Sequence, residues 1–186
     1  MKIIGGKFKG KNFFRPADIK PTQNIVRKAI FDLIGQELTG YRVLDLFSGS
    51  GAIGLEAVSR GAKEVYFVEN DQKYSTVIRE NIELFGFNTT EDNQVYYEVL
   101  ACDSFQAIKH LFGKKLKFDL IVCDPPYGRG LAKKALKLLE AYDIVDPNSF
   151  VVIEHHKREI LPETMGRFCI FRQKKYGSSL LSVYNT

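Results

Sequence analysis

Between Val43 and Gly54 an apolar strand runs straight into a turn built of small residues, and no other stretch limits the fold as much. Val43-Leu44-Asp45-Leu46-Phe47 reads as a buried strand and Ser48-Gly49-Ser50-Gly51 as the turn. A helix then follows with apolar Ile53, Leu55, Ala57 and Val58. Gly49 and Gly51 allow φ > 0 and close approach of a ligand, while Gly54 allows the helix to lie tight on its neighbouring strand. A second strand ends at Glu69, twenty residues after Gly49. A carboxylate there can accept hydrogen bonds from both ribose hydroxyls of a nucleoside. The spacing therefore predicts a nucleoside-cofactor site, and the glycines alone leave the cofactor open.

Asp45 narrows that choice. It lies four residues before Gly49, at the carboxyl end of the first strand. A dinucleotide would place its pyrophosphate at this turn, where a carboxylate about 4–6 Å away repels it. S-adenosylmethionine instead carries a sulfonium and an ammonium, and a carboxylate attracts both. The competing reading is an aspartate that caps the segment after the turn. Asp103, after a third strand, has two readings as well. It can accept from an adenine amino group, or cap the helix that opens at Ser104-Phe105.

Strands and helices alternate through most of the chain. Strands are expected over about 42–47, 64–69, 95–100, 118–123 and 150–154, with helices over about 51–60, 72–85, 104–111 and 131–141. Phe118 to Cys123 is nearly continuous in apolar residues, as a strand buried on both faces should be. Residues 168–173 and 180–184 read as a closing hairpin around Tyr176-Gly177-Ser178-Ser179. The expected fold is α/β: a doubly wound, mostly parallel, seven-stranded Rossmann-like sheet, with a C-terminal antiparallel hairpin and a small N-terminal extension. Ligands of such a sheet bind at the carboxyl ends of its strands.

The second informative stretch, Asp124-Pro125-Pro126-Tyr127, falls at such an end, after the fourth strand. Two prolines fix φ, lack N–H donors and leave their carbonyls to face a cleft. The exocyclic amine of a purine is a poor nucleophile because its lone pair is delocalised into the ring. Accepting its two hydrogens on the Asp124 carboxylate and the Pro125 carbonyl favours the tetrahedral nitrogen that attacks a methyl group. Tyr127 offers a flat face for the base, a contact worth ~1–3 kcal/mol. The bland reading is a proline turn that closes a strand.

Charge separates the N-terminus from the rest. The first thirty residues hold eight of the 27 lysines and arginines and one of the 22 acids, so the whole excess of the +5 net charge lies there. Lys7, Lys9, Lys11, Arg15 and Arg27 are interleaved with Gly5, Gly6, Gly10, Phe8, Phe13 and Phe14. Such concentration is the electrostatic footprint of a nucleic-acid partner, against the plainer reading of a solvated surface. From Pro21 the pattern becomes helical, capped by Thr22 or Asn24, with Ile25, Val26, Ala29, Ile30, Leu33 and Ile34 on one stripe. Residues 1–40 are thus expected to be a dependent nucleic-acid-binding arm, and 41–186 the main domain. No apolar run approaches ~18 residues, so no membrane span is expected. The opening residues lack an apolar signal core, and Cys102, Cys123 and Cys169 are odd in number and widely spaced. A cytoplasmic protein with reduced thiols follows. His110, His155 and His156 show no ligand spacing with the cysteines, so no metal is expected.

Together these stretches resemble the class I S-adenosylmethionine-dependent methyltransferases with a D-P-P-Y amine-methylating motif. More narrowly, they are similar to the RsmD-like bacterial enzymes that modify guanine N2 in small-subunit (16S) ribosomal RNA. The similarity includes Ile3-Ile4-Gly5-Gly6-Lys7-Phe8-Lys9-Gly10-Lys11, Leu44 to Gly51, Gly54-Leu55-Glu56-Ala57, Val68-Glu69-Asn70-Asp71, Asp124-Pro125-Pro126-Tyr127 and Tyr176-Gly177. The chain departs from the family at Lys20-Pro21-Thr22 and at Asn24-Ile25-Val26-Arg27-Lys28, where Arg-Pro-Thr and Asp-Arg-Val-Arg-Glu are usual. The resemblance implies S-adenosylmethionine held by Asp45, Phe47, Gly49, Ser50, Gly51, Glu69, Asn70, Asp103 and Ser104. It implies catalysis by Asp124, Pro125, Pro126 and Tyr127, and RNA contacts from Lys7, Lys9, Lys11, Arg15, Thr22 and Arg27. The expected partner is ribosomal RNA or an assembling small subunit, met by a monomer. Rival readings are a DNA adenine-N6 methyltransferase, an NAD-linked oxidoreductase and a non-enzymatic ribosomal RNA-binding protein.

Overall fold

The computed structural model describes residues 1–18, 24–86 and 95–186. In chain order the elements begin with α1 (Asn24–Ile34), β1 (Arg42–Leu46), α2 (Ala52–Ser59) and β2 (Glu64–Val68). They continue through α3 (Gln72–Phe85), β3 (Tyr96–Leu100), α4 (Ser104–Gly113), β4 (Phe118–Cys123) and α5 (Leu131–Ala141). The chain closes with β5 (Val145–His156), β6 (Thr164–Met165), β7 (Phe168–Tyr176) and β8 (Ser179–Asn185).

All strands join one sheet in the order β3-β2-β1-β4-β5-β8-β7-β6. β3 to β5 run parallel, whereas β8, β7 and β6 pair antiparallel. Seven strands were expected; the eighth is the two-residue β6, which pairs only with Phe168 and Cys169 of β7. It escapes a reading of periodicity because two residues carry no alternation. β5 is also longer than expected, since Val145 already pairs with Phe118 across an irregularity before the regular register resumes at Phe150.

Apolar side chains on the two sheet faces form two cores. One face packs Val43, Val65, Phe67, Val122 and Val152 against α1, α2 and α3. The other packs Leu44, Leu46, Tyr66, Ile121 and Ile153 against α4 and α5. The alternation of residues 43 and 44 between these faces is the period of two that a strand imposes. The N-terminal arm belongs to the first core, for Ile3 and Phe13 are buried in it beside Val26 and Ile30. Backbone bonds fasten it further, with Ile4 N donating to Glu56 Oε2 (3.0 Å), Phe8 N to Ser59 Oγ (2.9 Å) and Phe14 N to Asn81 Oδ1 (2.7 Å).

Candidate active site

The parallel register sets the site. Leu46 ends β1 beside Val68 of β2 on one side and Cys123 of β4 on the other. The glycine turn, Glu69 and Asp124 therefore leave the sheet side by side at its carboxyl edge.

The turn after β1 is held open by backbone geometry and by two side chains. Phe47, Gly49 and Gly51 have φ of 63°, 54° and 76°. Glycine suits two of these positions because an L side chain meets its own backbone there. Glu69 then clamps the turn: Oε2 accepts the Gly49 N–H at 2.8 Å and Oε1 accepts the Asp71 N–H at 2.9 Å. Ser48, which sequence reasoning passed over, fastens the turn from below. Its hydroxyl donates to the Asp45 carbonyl (2.7 Å) and accepts the Val68 N–H (2.9 Å). A small residue inside a glycine turn gives no signal of that role. Gly54 does what its spacing suggested, since a Cβ there would collide with the Phe67 ring on β2.

Asp45 is buried, and its Oδ2 accepts the Gly54 N–H at 3.0 Å. It thus ties α2 to β1, the capping role that competed with a purely ligand-facing one. Burial pushes its carboxyl up to about 7, the Gly54 N–H opposes that rise, and the nearby Glu69 carboxylate adds to it. The turn is accordingly bounded by two acids, Asp45 and Glu69. That pair of acids suits a cationic nucleoside and disfavours a pyrophosphate. Each Glu69 oxygen accepts one N–H in the structure and retains a further lone pair, the capacity a ribose diol requires.

Asp103 performs the capping role: its Oδ1 accepts from Phe105 N (2.9 Å) and Gln106 N (3.1 Å) at the start of α4. Asn70 is exposed beside Glu69, Ser104 is buried in the first turn of α4, and Ser50 is buried with its carbonyl accepting from Asn81 Nδ2 at 3.2 Å. Phe47 meets Phe105 edge to face at 5.9 Å between ring centroids.

The D-P-P-Y loop lies on the other side of the turn. Asp124 is half-buried, Pro125 buried and Pro126 exposed. The Tyr127 hydroxyl donates to Glu154 Oε1 at 2.6 Å, lies 2.6 Å from Ser179 Oγ, and its ring meets His156 edge on at 5.7 Å. Burial, followed by the Glu154 contact, pushes the phenol well above its ordinary range, so Tyr127 remains a donor and not a base. Glu154 and Ser179 belong to β5 and β8, remote in sequence, and no local pattern linked them to this loop.

The candidate RNA residues are scattered. α2 starts at the carboxyl edge of the sheet and ends at the opposite edge, where Lys7 N donates to Ser59 O at 2.6 Å. Lys11 Nζ donates to Leu84 O at 3.0 Å in the last turn of α3, also at that edge, and sits 4.5 Å over the Phe85 ring. Lys7, exposed Lys9 and Lys11 thus lie a strand length, roughly 16 Å, from the carboxyl edge. The arm then climbs along α3 to Asp18, which pairs with Lys73 (2.8 Å) in the first turn of that helix. This brings half-buried Arg15 closer to the site than the three lysines. Arg27 is fully buried, with Nε 3.7 Å from Glu56 Oε2 and Nη2 donating to Lys2 O at 2.5 Å. In this structure Arg27 belongs to the core and offers no surface to a phosphate. Thr22 lies outside the described residues. Among the described residues no group of histidine, cysteine and acidic side chains is arranged to hold a metal ion, and no helix is long and apolar enough to cross a membrane.

Comparison with known proteins identifies the family. A family model described as "Conserved hypothetical protein 95" matches residues 1–185. Ribosomal RNA small subunit methyltransferase D of Buchnera aphidicola is 33% identical over 159 residues, covering 84% of this chain and 78% of that protein. The chain belongs to the RsmD-like family of S-adenosylmethionine-dependent methyltransferases. The Escherichia coli protein named Ribosomal RNA small subunit methyltransferase D is 27% identical, covering 99% of this chain and 89% of that one. Among solved structures, a hypothetical protein of Thermus thermophilus superposes with a TM-score of 0.82 at 28% identity, covering 100% of this chain and 99% of that one.

Proposed function

We propose that the protein methylates the exocyclic N2 of a guanine in small-subunit ribosomal RNA, with S-adenosylmethionine as the methyl donor. The carrying observation is the register that sets Leu46 beside Cys123, so that the turn clamped by Glu69 and the Asp124–Tyr127 loop open at one edge. The relatives named for ribosomal RNA methylation support the choice of RNA.

Glu69 would hold the ribose of the bound cofactor, and Asp45 with the backbone of the glycine turn would face its cationic end. When bound, S-adenosylmethionine supplies an electrophilic methyl group on a positively charged sulfur. The Asp124 carboxylate and the Pro125 carbonyl accept the two N–H groups of the target amine, drawing its nitrogen toward a tetrahedral, nucleophilic form. Taking up that methyl group would make the amine acidic, and it would release one proton to solvent water. Tyr127, its hydroxyl fixed by Glu154 and Ser179, presents its ring to the base. Strong base catalysis is unnecessary, which agrees with a loop made of acceptors.

Labelled methyl transfer to small-subunit RNA, to assembled small subunits and to DNA, followed by nucleoside identification, tests the reading. N2-methylguanosine in RNA is the expected product. N6-methyladenine in DNA, or no transfer to any of the three, would replace it. The protein is expected to act as a cytoplasmic monomer.

A further inference from the structure

Beyond the arm, the structure carries a second basic surface, and this one starts at the target loop. β7 is the outermost long strand, flanked by β8 on one side and by the two-residue β6 at its start on the other. Its residues from Phe171 to Lys175 are all exposed. The register sets Arg172 opposite Val183, Lys174 opposite Leu181 and Tyr176 opposite Ser179, while Leu181 and Ser179 stand opposite Glu154 and His156 on β5. Directly opposed residues of antiparallel strands share a face. Arg172, Lys174 and Tyr176 therefore line the same face as Ser179, whose hydroxyl meets that of Tyr127.

Two cations of this strand each sit over a ring. Lys174 Nζ lies 5.6 Å over the Tyr176 ring, and Arg172 Cζ 4.9 Å over the ring of Phe171. At the hairpin tip Lys157 N donates to Ser178 O at 2.9 Å, which brings exposed Lys157 and Arg158 to the same end. Single-stranded nucleic acid needs this combination, cations for its phosphates and flat rings for its unstacked bases. A double helix would be recognised through grooves and shape instead.

We propose that β7, through Arg172, Lys174 and Tyr176, carries the single-stranded RNA that flanks the target nucleotide. The proposal rests on the RNA-methylating reading above and adds the path of the substrate. It also moves the chief electrostatic footing from Lys7, Lys9 and Lys11, at the far edge of the sheet, to a strand that adjoins the target loop. Cations on an outer strand have another known use, to stop copies from pairing edge to edge, and the test separates the two.

Binding of a labelled single-stranded RNA oligonucleotide and of intact small-subunit ribosomal RNA is measured across salt concentrations. The proteins are wild type, Arg172→Gln/Lys174→Gln, Tyr176→Leu and Lys7→Gln/Lys9→Gln. Glutamine keeps the side-chain stems, and a melting curve with and without S-adenosylmethionine checks each fold. Losing two phosphate contacts on β7 should flatten the slope of log K against log salt by about 1.4, at ~0.7 per contact. Tyr176→Leu should weaken binding about tenfold, and Lys7→Gln/Lys9→Gln should keep the wild-type slope. Parallel slopes for wild type and a folded β7 variant would overturn the proposal. So would unchanged RNA affinity in a β7 variant that self-associates on sedimentation. Wild-type protein that binds neither RNA nor an assembled small subunit would overturn this proposal together with the substrate reading, whereas parallel slopes leave that reading standing.

Discussion

The hydroxyl of Tyr127 donates to Oε1 of Glu154 across 27 residues of sequence, at 2.6 Å, and so joins the Asp124–Tyr127 loop to the adjacent strand. The other oxygen, Glu154 Oε2, is buried with no hydrogen-bond partner among the described residues. The pair is therefore sensitive to change in a directional way. Tyr127→Phe leaves a buried carboxylate with less to satisfy it and should cost about 2 kcal/mol of stability, in the range for a hydrogen bond to a charged group. Glu154→Gln should cost less, and the two changes together should cost less than their sum. Denaturant unfolding of the single and double variants measures that coupling, and strict additivity would mean that the two side chains act independently.

Glu69 clamps Gly49 and Asp71 with its two oxygens, so its removal should loosen the turn as well as remove the ribose contact proposed for it. Glu69→Ala is expected to weaken S-adenosylmethionine binding by at least ~1.5–3 kcal/mol. Titration calorimetry on the folded variant is the check, and unchanged affinity would remove Glu69 from the site.

Asp124→Ala should act on turnover. Its carboxylate is assigned to the amine as that nitrogen becomes tetrahedral, so the loss belongs in kcat more than in cofactor affinity. Steady-state kinetics beside cofactor titration separates the two quantities. Full turnover by the variant would assign the amine contact elsewhere.

Asp45 predicts a pH dependence of definite sign. Its carboxyl, ordinarily near 3.8, is pushed up to about 7 by burial. The folded state then holds a proton that the unfolded chain has released, and this group's contribution to stability declines as pH rises from about 4 to about 7. A cation bound beside Asp45 would favour its ionised form. S-adenosylmethionine affinity should therefore rise with pH up to about 7, with protons released on binding. Calorimetry in buffers of different ionisation enthalpy reads the proton count directly. Asp45→Asn should abolish both effects, and a flat affinity with no proton release in wild type would leave Asp45 as an anchor for Gly54 alone.

Arg27 should behave as a structural residue. Arg27→Ala removes a fully buried cation from Glu56, which keeps Arg60 at 2.9 Å, and should destabilise the protein by about 3 kcal/mol, as breaking a buried ion pair does. The salt slope of RNA binding should stay as in wild type. A variant with unchanged melting temperature and a flattened slope would return Arg27 to the RNA surface.

By itself the sequence determined the mostly parallel α/β alternation, the glycine turn, the Glu69 spacing and the place of Asp124 to Tyr127 at the end of the fourth strand. Each of these is local: strand period, backbone sterics and the free acceptor carbonyls of a proline pair are set within a few residues, and the βαβ rule joins them. The tertiary structure decided what depends on pairing distant segments. It placed Glu154 and Ser179 on the Tyr127 hydroxyl, because β8 inserts between β5 and β7 and no local spacing encodes that neighbourhood. It also divided the basic residues that composition had grouped together. Net charge has no direction, whereas α2 carries the chain from one edge of the sheet to the other, leaving Lys7 at the edge away from the turn and Arg27 inside the core. Asp45 shows both levels at once: its residue type and position were legible in the sequence, but burial against α2 is what lifts its proton affinity to about 7.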